Sequence, residues 1–350
     1  MKKLTAQLFI ISIAISFIIT SCSKGGGGGG GGTPVTLTLT LSKSSIRADN
    51  FDETMITVRD QNGTDVTSSC TFNINNTTWS TNMFHTISIG DILVYATKSG
   101  AKSNTDTLTA TNPGPSPFTQ KVLAEDYTGT WCGFCPRVGV SLTNYAVSHP
   151  NCIVVGMHGP TGSSDPYIYQ YSTSLVNAFN ITGWPTAIIN RNYKWTESTS
   201  TLDQEATKRA ALGLSLVSTV SGGTINVTAK VKFDVTTTVG MKLVLMLMED
   251  GLVYPQANYY APQYGGNPIT GYVHNHVLRA AATDIFGELI PAAQQTIGNV
   301  WEKAYSFNAA AYNINNCKII GVVVFENSGG SYKGALNVQE VAAGQTKNFD

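Results

Sequence analysis

Two cysteines separated by two residues, set between a strand-like run and a helix start, constrain this chain more than any other feature. The stretch runs from Lys121 to Arg137, K-V-L-A-E-D-Y-T-G-T-W-C-G-F-C-P-R. Val122 to Tyr127 has the composition of a strand. Gly129 then turns the chain into Trp131-Cys132-Gly133-Phe134-Cys135-Pro136. Unpaired N–H groups at a helix N-terminus, with the helix dipole behind them, stabilise a thiolate. Cys132 is therefore the expected exposed nucleophile, and Cys135, one turn inward, the resolving thiol. Pro136 suits a first helical turn, where a missing N–H costs nothing.

C-x-x-C between strand and helix is the signature of a thioredoxin-type redox site, and two further features strengthen the resemblance. Asp126 stands six residues before Cys132, at the end of the strand run. In thioredoxins a buried Asp at this offset moves a proton on and off the resolving cysteine, so the resemblance implies that role for Asp126. Gly183-Trp184-Pro185-Thr186 precedes the apolar run Ala187-Ile188-Ile189. It resembles the thioredoxin cis-proline that faces the cysteine pair, and an X-Pro bond is where a cis peptide is cheap. The resemblance implies that Trp131, Trp184, Pro185 and Thr186 hold a substrate chain. Phe134 stands where thioredoxins carry proline, which leaves the redox direction open.

The chain begins with a targeting segment, residues 1–21. Lys2 and Lys3 open it, and Leu8 to Ile19 is an apolar core too short for a membrane span. Ile19-Thr20-Ser21-Cys22 resembles the lipobox of bacterial lipoproteins, which implies acylation of Cys22 and a membrane partner held through lipid. Residues 22–33 form a glycine-rich tether with eight consecutive glycines. Ten such residues reach roughly 18 Å, enough to clear lipid headgroups.

Residues 34–111 read as β throughout. Val35-Thr36-Leu37-Thr38-Leu39-Thr40-Leu41 alternates with the period of a half-buried strand, and Gln61-Asn62-Gly63-Thr64 is a hairpin turn. V-R-D-Q-N-G-T-D-V-T-S-S resembles bacterial immunoglobulin-like repeats. His85 stands alone there and is no evident ligand. Residues 112–117, Asn-Pro-Gly-Pro-Ser-Pro, form a stiff linker. Residues 118–213 hold the cysteine site, a helix to about Val147, and the continuous apolar strand run Cys152 to Met157. A polar, aromatic insertion, His158 to Tyr171, is expected near the cysteines. Thr201-Leu202-Asp203-Gln204 resembles a capping box that starts a last helix ending at Gly213. Residues 214–350 carry seven candidate strands, one of them Gly271 to Arg279, and suggest a sandwich. Met246 and Met248 read as core. The fold class expected is therefore multidomain, α/β plus all-β. A central thioredoxin-like domain is flanked by an N-terminal immunoglobulin-like sandwich and a C-terminal β-sandwich. E-D-Y-T-G-T-W-C-G-F-C-P-R followed by V-H-N-H-V-L-R resembles the outer membrane protein 28 family of lipoproteins, over about Val122 to Val341. That resemblance implies an outer-membrane location in the bacterial envelope.

Charge is balanced, 22 basic against 22 acidic residues, and loss of Lys2 and Lys3 with the signal makes the mature chain slightly acidic. No basic stripe argues for nucleic acid, and no motif calls for a cofactor. Of six cysteines, Cys22 is taken by lipid and Cys132 with Cys135 form the pair. Cys70, Cys152 and Cys317 remain, an odd number, so at least one is free. Cys152 reads as a buried small hydrophobe, and a Cys152–Cys317 bridge is conceivable. Three chemistries stay open for the pair. The favoured one is thiol–disulfide exchange with envelope proteins, with Cys132, Cys135 and Asp126 catalytic. The second is a static disulfide in an outer-membrane binding or adhesion lipoprotein. The third, least favoured, is a metal site completed by His274 and His276.

Overall fold

The computed structural model describes residues 35–160, 164–237, 239–326 and 334–350. The signal segment, the tether and Cys22 lie outside them.

Nine strands build the N-terminal part: β1 (Leu37–Leu41), β2 (Ser45–Arg47), β3 (Thr54–Asp60), β4 (Thr71–Ile74), β5 (Thr77–Trp79), β6 (Met83–Phe84), β7 (Gly90–Lys98), β8 (Ala101–Lys102) and β9 (Asp106–Thr111). They form a sheet of order β1-β3-β6 and another of order β2-β9-β7-β4-β5, with β8 beside β7. Leu and Thr alternate along β1, so Leu37 and Leu39 are buried and Thr38 and Thr40 exposed. Leu39, Ile56, Val58, Val94 and Leu108 fill the space between the sheets.

The next elements are β10 (Val122–Thr128), α1 (Cys135–Ser148), β11 (Cys152–His158), α2 (Ser172–Ala178), β12 (Thr186–Ile189), β13 (Tyr193–Lys194) and α3 (Thr199–Ala206). They are followed by β14 (Leu212–Ser221), β15 (Thr224–Phe233), β16 (Met241–Glu249), β17 (Leu252–Val253), β18 (Val273–His274), β19 (Val277–Ala281), β20 (Glu288–Ile290), β21 (Val300–Asn308), β22 (Cys317–Phe325), β23 (Ala335–Ala342) and β24 (Thr346–Lys347). Strands from both sides of residue 213 share one nine-stranded sheet, β13-β12-β10-β11-β19-β16-β22-β23, with β20 beside β16. The junction is parallel, Gly156 of β11 opposite Val277 of β19. There Gly156 N–H donates to the His276 carbonyl at 2.7 Å, and a Cβ on Gly156 would stand 3.4 Å from that oxygen.

The expected fold class is thereby overturned. The described chain is mostly strand, with three α-helices, and no freestanding thioredoxin-like α/β core separates from a C-terminal sandwich. The reason is physical. A strand buried on both faces can extend a sheet on either edge, and β11 takes β19 as its neighbour. The alternation of β16 shows how the large sheet is covered. Leu243, Leu245 and Leu247 face a core shared with β14 and β15. Val244, Met246 and Met248 face a core shared with β10, β11 and α2. Each such fully buried side chain contributes about 1.5–3 kcal/mol by leaving water. On the opposite face of β10 and β11 from that second core, Val122, Ala124 and Val154 pack against Val138 and Leu142 of α1 and Leu202 of α3.

Two local readings also change. The last helix starts at Thr199 and ends at Ala206, and Thr201 Oγ1 bonds back to the Ser198 carbonyl instead of opening the helix. The strand expected over Gly271 to Arg279 is broken at His276, whose φ is +61°. Cys70, Cys152 and Cys317 are free thiols, so the conceivable Cys152–Cys317 bridge is not made.

Candidate functional site

Asp126 lies near the end of the buried run of β10, and the chain then turns through Gly129 to the cysteines, which are joined as a disulfide. Cys132 lies in the turn and Cys135 is the first residue of α1, with Pro136 behind it. Both cysteines are buried, at 4% and 2% exposure. Asp126 is buried as well, and its Oδ1 has no hydrogen-bond partner. Burial pushes its carboxyl up to about 7, because no cation compensates the lost hydration.

The Trp184–Pro185 bond is cis, and Thr186 stands opposite Tyr127 where β12 pairs with β10. Trp131 and Trp184 meet edge to face at 5.6 Å. Gly129 and Gly159 leave room for them, since a Cβ on either would collide with an indole ring. The Nε1 atoms of both tryptophans are buried without a partner. The structure thus brings Asp126, Trp131, Cys132, Cys135 and Trp184 together, with Pro185 and Thr186 following directly on Trp184.

A feature that sequence reasoning missed covers this turn. The segment 254–272, between β17 and β18, crosses the cysteine turn as a strap. Ala257 N–H donates to the Thr130 carbonyl and Tyr259 N–H to the Gly133 carbonyl, both at 2.8 Å. Gln256, 3% exposed, reaches between them, and its Nε2 donates to the carbonyls of Cys132 (2.9 Å), Ala257 (3.1 Å) and Gly129 (3.2 Å). The Tyr259 ring lies over Gly133, where any side chain would clash with it, and stacks edge-on against Phe134 at 5.0 Å. Arg137 Nε donates to Tyr260 Oη at 2.9 Å. Buried Asn258 folds the strap on itself by donating to the carbonyls of Gly265 and Gly266. The available signal was length: some 20 residues without regular structure inside a β region mark a functional loop.

The insertion beginning at His158 does reach the turn. Asp165 Oδ2 accepts the Thr130 N–H at 2.7 Å and lies 2.8 Å from His158 Nδ1. Burial opposes its ionisation, but the His158 and backbone hydrogen bonds outweigh that and hold the carboxyl below its ordinary value. His274 packs on Tyr272 at 4.7 Å and on His158 at 5.4 Å. Burial first, then nearby His158, lowers His274 to about 4, so it is neutral near pH 7. The backbone N–H of His276 donates to the Asp250 carboxylate at 2.6 Å. Among the described residues no group of three or more His, Cys, Asp or Glu is placed to hold a metal.

Beside the disulfide lies a cavity of about 240 Å³, lined by Asp126, Cys135, Gly139, Gln256, Tyr272 and His274 among others. Cys132 does not line it. Burial and then the charge of Asp126 push the Tyr272 hydroxyl up to about 12.

A family model described as outer membrane protein Omp28 matches residues 172–347, just over half of the chain. The match includes Trp184, Pro185 and the strap and begins after the cysteine pair. HBP35 of Porphyromonas gingivalis has a similar fold, with a TM-score of 0.54 at 18% identity over 65% of this chain and 76% of that one. A domain of the outer membrane lipoprotein Omp28 from Porphyromonas gingivalis is 18% identical, covers 39% of this chain and 100% of its own, and gives a TM-score of 0.26. No curated protein matches the chain. The family match supports the outer-membrane location and leaves thiol–disulfide exchange without support of its own.

Proposed function

Since this chain belongs to the family of outer membrane protein Omp28, we propose that it serves at the outer membrane of the bacterial envelope as a lipoprotein binding module whose Cys132–Cys135 disulfide is a structural clasp. Cys22 is its lipid anchor in this reading, with the membrane as the partner. One observation carries the clasp. The strap takes up the carbonyls of Gly129, Thr130, Cys132 and Gly133 and so covers the turn that carries Cys132. A closed disulfide fixes the turn on which those four carbonyls sit. Native protein should not accelerate insulin reduction by a dithiol above background. Cys135→Ala protein should capture no mixed-disulfide partner from envelope extract. Faster insulin precipitation, or a captured partner, overturns the clasp.

A second reading, exchange with envelope protein thiols and disulfides, draws on the unpartnered acid beside Cys135. In it Cys132, Cys135 and Asp126 are catalytic, and Trp131, Trp184, Pro185 and Thr186 hold the substrate chain once the strap has left. Gln256→Ala with Tyr259→Ala then exposes an insulin reductase. A folded double variant without that activity eliminates this reading.

A further inference from the structure

The strap caps the turn at Cys132, and its Gln256 and Tyr272 also form part of the wall of the cavity that Cys135 lines. Gln256 and the Tyr259 N–H cap the turn at Cys132 and Gly133. Cys135, by contrast, lines the 240 Å³ cavity, and Cys132 does not. Gly139 keeps the space open, since a Cβ there would already stand 3.5 Å from Asp126 Oδ2 and 3.7 Å from the Tyr272 hydroxyl. At the inner end is Asp126, 4% exposed, with an oxygen that has no donor. A disulfide cysteine that lines the same cavity as a carboxyl lacking a donor matches the two needs of a thiol: a base for its proton and a sulfur to attack.

We propose that Cys135 is an S-thiolation site, reached through this cavity by a low-molecular-weight thiol that carries no carboxylate. The inference rests on the reading that the strap excludes protein chains from Cys132. The thiol S–H gives its proton to the Asp126 carboxylate. The thiolate lone pair forms a new S–S bond to Cys135 Sγ, and the electron pair of the old bond leaves on Cys132 Sγ. Cys132 stands before the N-terminus of α1, whose dipole favours the departing thiolate, and it takes up the proton. One disulfide replaces another, so the thiol is the only co-reactant. Size and charge select the ligand class. The other titratable groups facing the cavity are Tyr272, His158, His274 and His276. His274 is kept neutral by its burial, so that side chain offers no positive charge to a carboxylated thiol. Asp126 itself repels one. Raised toward neutrality by burial, Asp126 is also a competent base near pH 7.

The test exposes the oxidised full-length protein to 2-mercaptoethanol, cysteamine, 3-mercaptopropionate or glutathione. Each reaction is quenched early in acid, alkylated after unfolding and mapped by peptide mass. The expected product of the first two thiols carries the thiol on Cys135 and the alkyl group on Cys132. Relative to their rates with a linear peptide disulfide, glutathione and 3-mercaptopropionate should lag at least tenfold. Thiol on Cys132, no adduct at all, or no size and charge selection overturns the proposal, and none of these requires a variant. Gly139→Val, which fills the cavity, should slow adduct formation several-fold, and an unchanged rate in the folded variant also overturns it. Insulin reduction and partner capture test the clasp separately, so either idea can fail without the other.

Discussion

The N-terminal pair of sheets and the nine-stranded sheet with its disulfide use the same alternating strands but treat buried polar groups differently. In the first, buried polar groups are partnered. Ser103, buried, accepts from Ala96 N–H at 2.9 Å and donates to the Asn104 carbonyl at 2.7 Å. Thr54, fully buried, accepts from Lys43 N–H and donates to the Lys43 carbonyl, both at 3.0 Å. Among the described residues there, Asp49 Oδ2 is the buried side-chain atom left without a hydrogen bond, and Arg47 Nε lies 3.4 Å from it. In the nine-stranded sheet, Glu125 Oε2 and Tyr127 Oη on one face of β10, Asp126 Oδ1 on the other, and Trp131 Nε1 and Trp184 Nε1 beside the cysteine turn all lack one. Each such group costs free energy. Their clustering on β10 and beside the cysteines marks the region where fold stability has been subordinated to another requirement.

The largest effect that sharpens this contrast comes from Arg191. Its Nε and Nη2 donate to Glu125 Oε1 at 3.0 and 2.8 Å, with both side chains buried. Arg191→Met leaves a buried charge alone and should cost about 3–5 kcal/mol in urea unfolding. Lys43→Met removes the exposed pair with Asp52 of the N-terminal sheets and should cost less than about 1 kcal/mol. Equal costs would break the comparison.

Asp126 supplies the pH dependence. Its folded value of about 7 lies above the ordinary 3.8, so between those values the native state holds a proton that the unfolded chain has lost. Stability therefore falls as pH rises through that window, by up to about 1.4 kcal/mol per pH unit, and levels off above it. Asp126→Asn should accordingly be the more stable protein at pH 8, by a few kcal/mol at most, and the gain should vanish near pH 4. A gain that is flat across this range would show that the carboxyl is not held protonated.

The last effect is local. Gln256→Ala removes three hydrogen bonds under the strap and should cost about 1–3 kcal/mol. Hydrogen exchange should speed up across 254–272 and stay unchanged in 35–111. Uniform acceleration would mean that the strap is part of the global core and not a cover.

What the sequence by itself determined is local. The strand–turn–helix around the cysteines, the buried run Cys152 to Met157, the proline after Trp184 and the core positions of Met246 and Met248 all follow from patterns only a few residues long. Tertiary structure decided the rest. Periodicity tells which face of a strand is buried but not which strand lies beside it, so the β11–β19 pairing that merges two expected domains has no local signature. The strap has no periodicity, and over the cysteine turn it donates to four carbonyls, of which those of Thr130 and Gly133 get their donors from it and those of Gly129 and Cys132 also accept from within the turn. Those donors come from Gln256, Ala257 and Tyr259, more than 120 residues along the chain.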